Sequence, residues 1–318
     1  MRVLVAGSAG FIGCHLAERF LDEGHEVVGV DNIVTGQKAN IEHLQGNEGF
    51  TFIRHDIVEP LTVDGRFDLI CNLACPASPV DFGPLRIEIM DVCSRGTRAL
   101  LDLARQNEAV YLHASTSEVY GDPKVHPQPE SYWGHVNSIG PRSCYDEGKR
   151  FGEALTVAYR DRYALRTRMA RIFNTYGPRM RANDGRALPV FINQALSGQP
   201  ITVHGDGAQT RSFCFVSDLV DGLVRLSASE FADPVNLGNP HEISILDIAK
   251  EVIEIAASAS EIVLVDRPAD DPQVRRPDIT RAAEILGWKP IVERRDGLAV
   301  TVEWFRSVAQ PPPAVSDL

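Results

Sequence analysis

Apolar residues arrive along this chain in short runs, each followed by an amphipathic stretch. Arg2-Val3-Leu4-Val5-Ala6 is the first run, and a helical pattern of apolar positions continues from the glycines after it to about Glu23. Val27-Val28-Gly29-Val30 ends at Asp31, and Phe52 to Ile57 supplies a third strand. Phe67 to Ala74 reads as a buried strand, a long helical pattern covers about Leu85 to Arg105, and Val110 to Ala114 and Thr167 to Phe173 are further strands. Strands alternating with helices in this way predict an α/β fold, a doubly wound parallel sheet covered on both faces. Beyond residue 174 the rhythm loosens. Short helices over Leu188–Leu196, Ser217–Leu226 and Ile245–Ile255 alternate with short strands, which predicts a smaller C-terminal α/β unit.

The first strand runs into Gly7-Ser8-Ala9-Gly10-Phe11-Ile12-Gly13 and then a helix. Strand, glycine turn and helix in that order form a dinucleotide fingerprint, since small residues let the backbone approach a pyrophosphate at a helix N-terminus. Asp31 ends the next strand about 20 positions on, where an acidic side chain can accept from both ribose hydroxyls and repel a 2′-phosphate. The cofactor expected is therefore NAD rather than NADP. We place it against Gly7, Gly10, Phe11, Ile12, Gly13, Asp31, Asn32, Asp56, Ile57, Leu73 and Ala74. The expected division is an NAD-binding unit over 1–173 with return segments near 213–238, and a discontinuous substrate unit over 174–309. A tail over 310–318, rich in proline, is expected to be disordered.

Tyr145 and Lys149 are four residues apart, so a helix presents them on one face. A tyrosine titrates near ~10 when free; an adjacent ammonium favours the phenolate and makes the phenol a usable base towards a sugar hydroxyl. Alone, this pattern is commonplace. Its company changes the reading: Ser115-Thr116-Ser117-Glu118 closes a strand about thirty residues upstream, and Cys75-Pro76-Ala77-Ser78-Pro79 stiffens another strand's C-terminal end. Ligands of open α/β sheets sit at those ends. Arg211, Arg275 and Arg276 are candidates for a phosphate or carboxylate.

Composition narrows the classes. A formal net charge of −11 offers no basic excess for nucleic acid. No apolar run approaches the ~18 residues of a membrane span, and the first strand begins at Arg2, which points to a cytoplasmic protein. Six cysteines without Cys-x-x-Cys or His/Cys ligand spacing read as reduced thiols, with no metal expected.

These residues resemble the extended short-chain dehydrogenase/reductases of Rossmann type, in their nucleotide-sugar branch, and within it the UDP-glucuronate decarboxylases. The resemblance is carried by Ala74-Cys75-Pro76-Ala77-Ser78-Pro79, by Ala114 to Pro123, by Tyr132 to Asn137, by Cys144 to Arg150 and by Arg171 to Met180. Gln209-Thr210-Arg211 and Arg276-Pro277-Asp278-Ile279 extend it to about Trp288. It implies that Tyr145 is the catalytic base and that Lys149 lowers its pKa and holds the nicotinamide ribose. Thr116 then orients the substrate 4-OH, Ser117 and Glu118 lie near the sugar carboxylate and ring, and Arg275 serves decarboxylation. Pro76, Ser78, Ser117, Glu118, Asn174, Arg179, Arg211 and Arg275 are the implied substrate contacts, with Asn174 and Arg211 on the UDP moiety. A homodimer formed by helices flanking the sheet is also implied. Two positions depart from the pattern: Cys93 stands where the family usually has Asn, and Ser138 interrupts the usual Asn-Pro-Ile-Gly-Pro.

The implied reaction is C4 oxidation of UDP-glucuronate, loss of CO2 from the β-keto acid and re-reduction to UDP-xylose. A 4-epimerase making UDP-galacturonate shares the first step, and a non-catalytic NAD sensor shares only the fold. Ser117, Glu118 and Arg275 favour decarboxylation on the resemblance. Intact Tyr145, Lys149 and Thr116 argue against a sensor.

Overall fold

The computed structural model describes residues 1–267 and 272–308. In chain order its elements begin with β1 (Arg2–Ala6), α1 (Phe11–Asp22), β2 (Glu26–Asp31), β3 (Phe50–Arg54) and β4 (Leu69–Asn72). Next come α2 (Arg86–Asp91), α3 (Thr97–Asn107), β5 (Val110–Thr116), α4 (Ser143–Tyr163) and β6 (Thr167–Ile172). The second half adds β7 (Thr175–Tyr176), α5 (Ala187–Leu196), β8 (Ile201–His204), β9 (Thr210–Ser212), β10 (Cys214–Phe215) and α6 (Val216–Ala228). It ends with β11 (Pro234–Leu237), β12 (Glu242–Ser244), α7 (Ile245–Ala256), β13 (Ile262–Val265), β14 (Val274–Arg275), α8 (Thr280–Leu286) and α9 (Arg294–Val308).

Seven parallel strands form the main sheet in the order β11-β6-β5-β4-β1-β2-β3. Strand side chains alternate between faces, and β1 uses both. Val3 and Val5 enter the core shared with α1 and α6, while Leu4 and Ala6 enter the core shared with α3. Fully burying each such side chain stabilises by ~1.5–3 kcal/mol, which explains why the run contains no polar position after Arg2. The strand order reverses between β1 and β4, so a crevice opens there at the C-terminal ends.

Two strand expectations shift. Phe52–Ile57 resolves to β3 at Phe50–Arg54, because the Asp56 carboxylate accepts from the Val58 amide at 3.0 Å and turns the chain. Phe67–Ala74 resolves to Leu69–Asn72, leaving Leu73 and Ala74 just past the strand. The helix expected from Leu85 to Arg105 is α2 and α3 joined by a π-turn over Val92–Gly96. The Thr97 hydroxyl donates to the Val92 carbonyl at 3.4 Å across that widened turn.

A second core gathers Leu188, Phe191 and Ile192 of α5 with Ile248 and Val252 of α7 and Leu298, Val302 and Phe305 of α9. Ala282 and Trp288 pack into the first core instead, with the Trp288 indole donating to the Asp218 carbonyl at 2.9 Å. Between the two cores β14 and β12 flank β9. Their register sets Arg275 directly beside Arg211. The expected tail, 310–318, lies outside the described residues.

Candidate active site

A cleft of about 780 Å3 lies over the ends of β1, β4 and β5. Its floor is the glycine turn. Gly7 has φ +83, and a Cβ there would lie 2.7 Å from the Leu73 carbonyl group; a Cβ on Gly13 would lie 2.0 Å from the Gly7 oxygen. The turn therefore packs flush between β4 and α1. Gly10 caps α1 without any side-chain hydrogen bond, so the first-turn amides are left to another partner. An anionic pyrophosphate suits that end.

At the end of β2 the Asp31 carboxylate accepts from the amides of Ala9 at 3.0 Å and Ile33 at 2.8 Å. Burial pushes its carboxyl up against the pull of those amides. Asn32 reaches across to donate to Asp56 at 2.9 Å, tying the ends of β2 and β3 together. The glycine cradle, the open helix end and the acidic strand end fit a dinucleotide. Ile57 has a different surrounding: it is a core residue wedged against Gly96.

The reactive end is built by β5 and α4. Gly148 and Gly152 let α4 lie close to its neighbours, where added methyls would sit 3.1 Å from Cys93 and 2.8 Å from the His113 ring. Tyr145 and Lys149 consequently face β5 and line the cleft with Thr116, Ser117 and Glu118. The phenol lines the cleft beside Thr116, and its ring stacks on Phe82 with centroids 5.0 Å apart. Lys149 donates to the Ala114 carbonyl at 2.8 Å, with its ammonium 5.8 Å from the Tyr145 ring centre.

The Lys149 ammonium stands beside the phenol, while the rest of the phenol's surroundings on balance oppose ionisation. Burial dominates and pushes the phenol up, with the nearby Cys75 and Glu118 adding to the rise and the Thr116 side chain opposing it.

Beside the phenol lies a charged knot. Arg275, 1% exposed, donates to the Ser117 hydroxyl at 3.0 Å and the Gly121 carbonyl at 2.8 Å, and pairs with Glu118 at 3.2 Å. Arg142 donates to the other Glu118 oxygen at 2.8 Å. Burial opposes ionisation of Glu118, but Arg275 and Arg142 outweigh it and hold the carboxyl down to about 2.

Of the remaining expected contacts, Ser78, Asn174 and Arg211 line the cleft. Ser78 is tied down by its bond to Asp184 at 3.2 Å. Arg179 lines it from the α1 side, where its guanidinium pairs with Glu18 at 2.6 Å. Pro76 and Ala74 are not among the residues that line the cleft. Arg276 faces Glu242 at 3.7 Å, outside the cleft. Four of the lining residues that were not anticipated bear on the site. Arg142 precedes Tyr145 by three positions, a helical spacing that could have revealed it, whereas nothing in the sequence marks Phe82 or the Asp184–Arg186 pair.

A parallel sheet with a glycine cradle at its switch point, and a tyrosine and lysine one helical turn apart at the next strand end, defines a dinucleotide-dependent short-chain dehydrogenase/reductase. The sequence model of a family described as GDP-mannose 4,6 dehydratase matches residues 4–301. The chain belongs to that extended short-chain dehydrogenase/reductase family. It is 51% identical over 305 residues to UDP-glucuronic acid decarboxylase 1 of Xenopus tropicalis, covering 96% of this chain and 72% of that one. It is 49% identical over 307 residues to UDP-glucuronic acid decarboxylase 5 of Arabidopsis thaliana, covering 96% and 89%. Among solved structures, UDP-glucuronic acid 4-epimerase of Bacillus cereus in complex with UDP-glucuronic acid and NAD superposes with a TM-score of 0.86 at 28% identity, covering 97% of this chain and all of that one.

Proposed function

We propose that the protein converts UDP-glucuronate to UDP-xylose by oxidation at C4, loss of the C6 carboxylate as CO2 and re-reduction of C4. The observation that carries this reading is Arg275, buried and bound to both Ser117 and Glu118 at the strand end that also bears Thr116. Relatives near half identity that carry the decarboxylase name support the same reading.

The glycine turn, Asp31 and Lys149 would hold NAD, which would supply a reversible two-electron acceptor and one positive charge. Thr116 positions the 4-hydroxyl, and Tyr145 removes its proton and later returns it. The ketone at C4 lies β to the C6 carboxylate, so the electrons of the C5–C6 bond can enter the carbonyl as CO2 departs, and the resulting enolate takes a proton at C5 to restore the 4-ketone before C4 is reduced. That departure requires the bond to align with the carbonyl π system. Arg275, Ser117 and Glu118 fix the sugar's acidic end in that orientation, while Phe82 backs the phenol and keeps bulk water from it. Asn174 and Arg211 hold the UDP moiety at the mouth.

Incubation with UDP-glucuronate and NAD tests the assignment. CO2 with a UDP-pentose is the expected outcome. UDP-galacturonate without CO2 makes the protein a 4-epimerase, and no conversion makes it a cofactor-binding sensor.

A homodimer is part of the proposal. Ile87 and Met90 of α2 and Phe151 of α4 are exposed apolar side chains on helices flanking the sheet, and pairing these faces between two copies would bury them. Light scattering at micromolar concentration distinguishes one copy from two. All six cysteines are free thiols, which supports placement in a reducing compartment such as the cytoplasm.

A further inference from the structure

Cys75 and Cys93 bring their sulfurs within 3.6 Å of each other beside Tyr145. They come from separate elements. Cys75 lies in the proline-stiffened loop after β4 and lines the cleft, whereas Cys93 is buried in the π-turn between α2 and α3. The Cys93 sulfur sits against α4, where Gly148 leaves room for it between Tyr145 and Lys149. A third thiol of this cluster, Cys144, points elsewhere and donates to the Phe82 carbonyl at 3.7 Å. Cys14, Cys71 and Cys214 belong to the main core.

We propose that Cys75 and Cys93 form an oxidisable dithiol, closed to a disulfide by a peroxide that enters through the cleft. The contact already shares one proton between the two sulfurs. The Cys75 hydrogen bond and the Lys149 charge both favour a thiolate within the pair at Cys93. The Cys93 hydrogen bond and burial push the Cys75 thiol up, so transfer of the shared proton to Cys93 makes the Cys75 thiolate the minor form, but Cys75 is the sulfur that lines the cleft and meets the peroxide. It attacks one peroxide oxygen, the O–O bond breaks, and the other oxygen takes a proton and leaves as water. The Cys93 sulfur then attacks the sulfenic sulfur of Cys75; the S–S bond forms, the S–O bond breaks and a second water leaves. Two thiols and one hydrogen peroxide thus give one disulfide and two waters.

Closure must shorten the contact from 3.6 Å to about 2.05 Å. That draws the loop carrying Ser78 towards the π-turn and moves the wall of the cleft next to Tyr145. A displacement of that size at a reacting centre lowers turnover about tenfold or more. Reduction restores the loop and the rate.

The test uses the full chain treated with one equivalent of hydrogen peroxide. The intact mass should fall by two hydrogens, and non-reducing peptide mapping should join the Cys75 peptide to the Cys93 peptide. Dithiothreitol should restore both mass and turnover of UDP-glucuronate. Cys93→Ser should form no cross-link and keep its own starting rate after peroxide, while Cys144→Ser should still cross-link. Oxygen added at Cys75 without a cross-link, a link to Cys144, or equal peroxide sensitivity in Cys93→Ser overturns the proposal. Should Cys93→Ser not fold, the peptide map of the unaltered protein decides alone. Only the turnover measurement rests on the decarboxylase reading. The cross-link is read by mass, so its failure and a failure of that reading are separate results.

Discussion

Arg275 meets Glu118 at 3.2 Å with its guanidinium almost wholly out of water. Removing one member of a buried pair strands the other charge, at a cost of ~3–5 kcal/mol. Arg142 remains on Glu118, so Arg275→Met should destabilise by the lower end of that range, measured by urea unfolding. The Glu118→Gln/Arg275→Met double variant should be less destabilised than the two single effects added together. CO2 release should collapse in Arg275→Met. Additive stability losses would mean that the two side chains do not act as a pair.

The Tyr145 phenol gives the second prediction. Tyr145→Phe keeps the ring on Phe82 and loses only the hydroxyl. Binding of NAD and of UDP-glucuronate, followed by calorimetry, should change little, and turnover should drop by ~10²–10⁴. Near-normal turnover would remove Tyr145 from the role of base.

How much of this site could be read from the chain depends on whether one element or several create it. The glycine turn and the Tyr145–Lys149 spacing are local, so hydrogen-bonding geometry within one element makes them legible. The meeting of Arg275 with Ser117 and Glu118 spans more than 150 positions. The residues alone offered Arg275 as one of three candidate arginines, the resemblance gave it a role, and nothing pointed to the pairing. Burial is the property least visible in a sequence, and it pushes the Tyr145 phenol up. Arg179 shows the same limit: α1 supplies Glu18, which holds the guanidinium against the first helix. The end of β3 was misplaced for a local reason, since Asp56 uses its own carboxylate to turn the backbone.

Gly13→Ala tests the cofactor cradle. An added methyl would meet the Gly7 oxygen at 2.0 Å, a backbone atom with no rotamer to yield. The helix must move away from the turn, at a cost of ~1–3 kcal/mol. NAD affinity should fall along with the melting temperature. An unchanged NAD affinity would place the pyrophosphate elsewhere.

Asp146 follows Tyr145 on α4 but points away from solvent, and one of its oxygens is buried without a hydrogen-bond partner. Burial and the neighbouring Glu118 carboxylate push its carboxyl up to about 7, against the opposing pull of Arg142 and Arg275. In the unfolded chain an aspartate releases its proton near ~3.9. Between about pH 4 and 7 the native state therefore binds more protons than the unfolded state, and stability falls as pH rises through that window. Above it the buried carboxylate is ionised in both states and the full penalty stays. Asp146→Asn removes the titration, so the variant should lose this part of the pH slope and unfold at higher urea than the parent at pH 8. Urea unfolding at pH 5 and pH 8 measures both effects. A parent and variant with parallel profiles would show that Asp146 is already ionised in the native state at low pH.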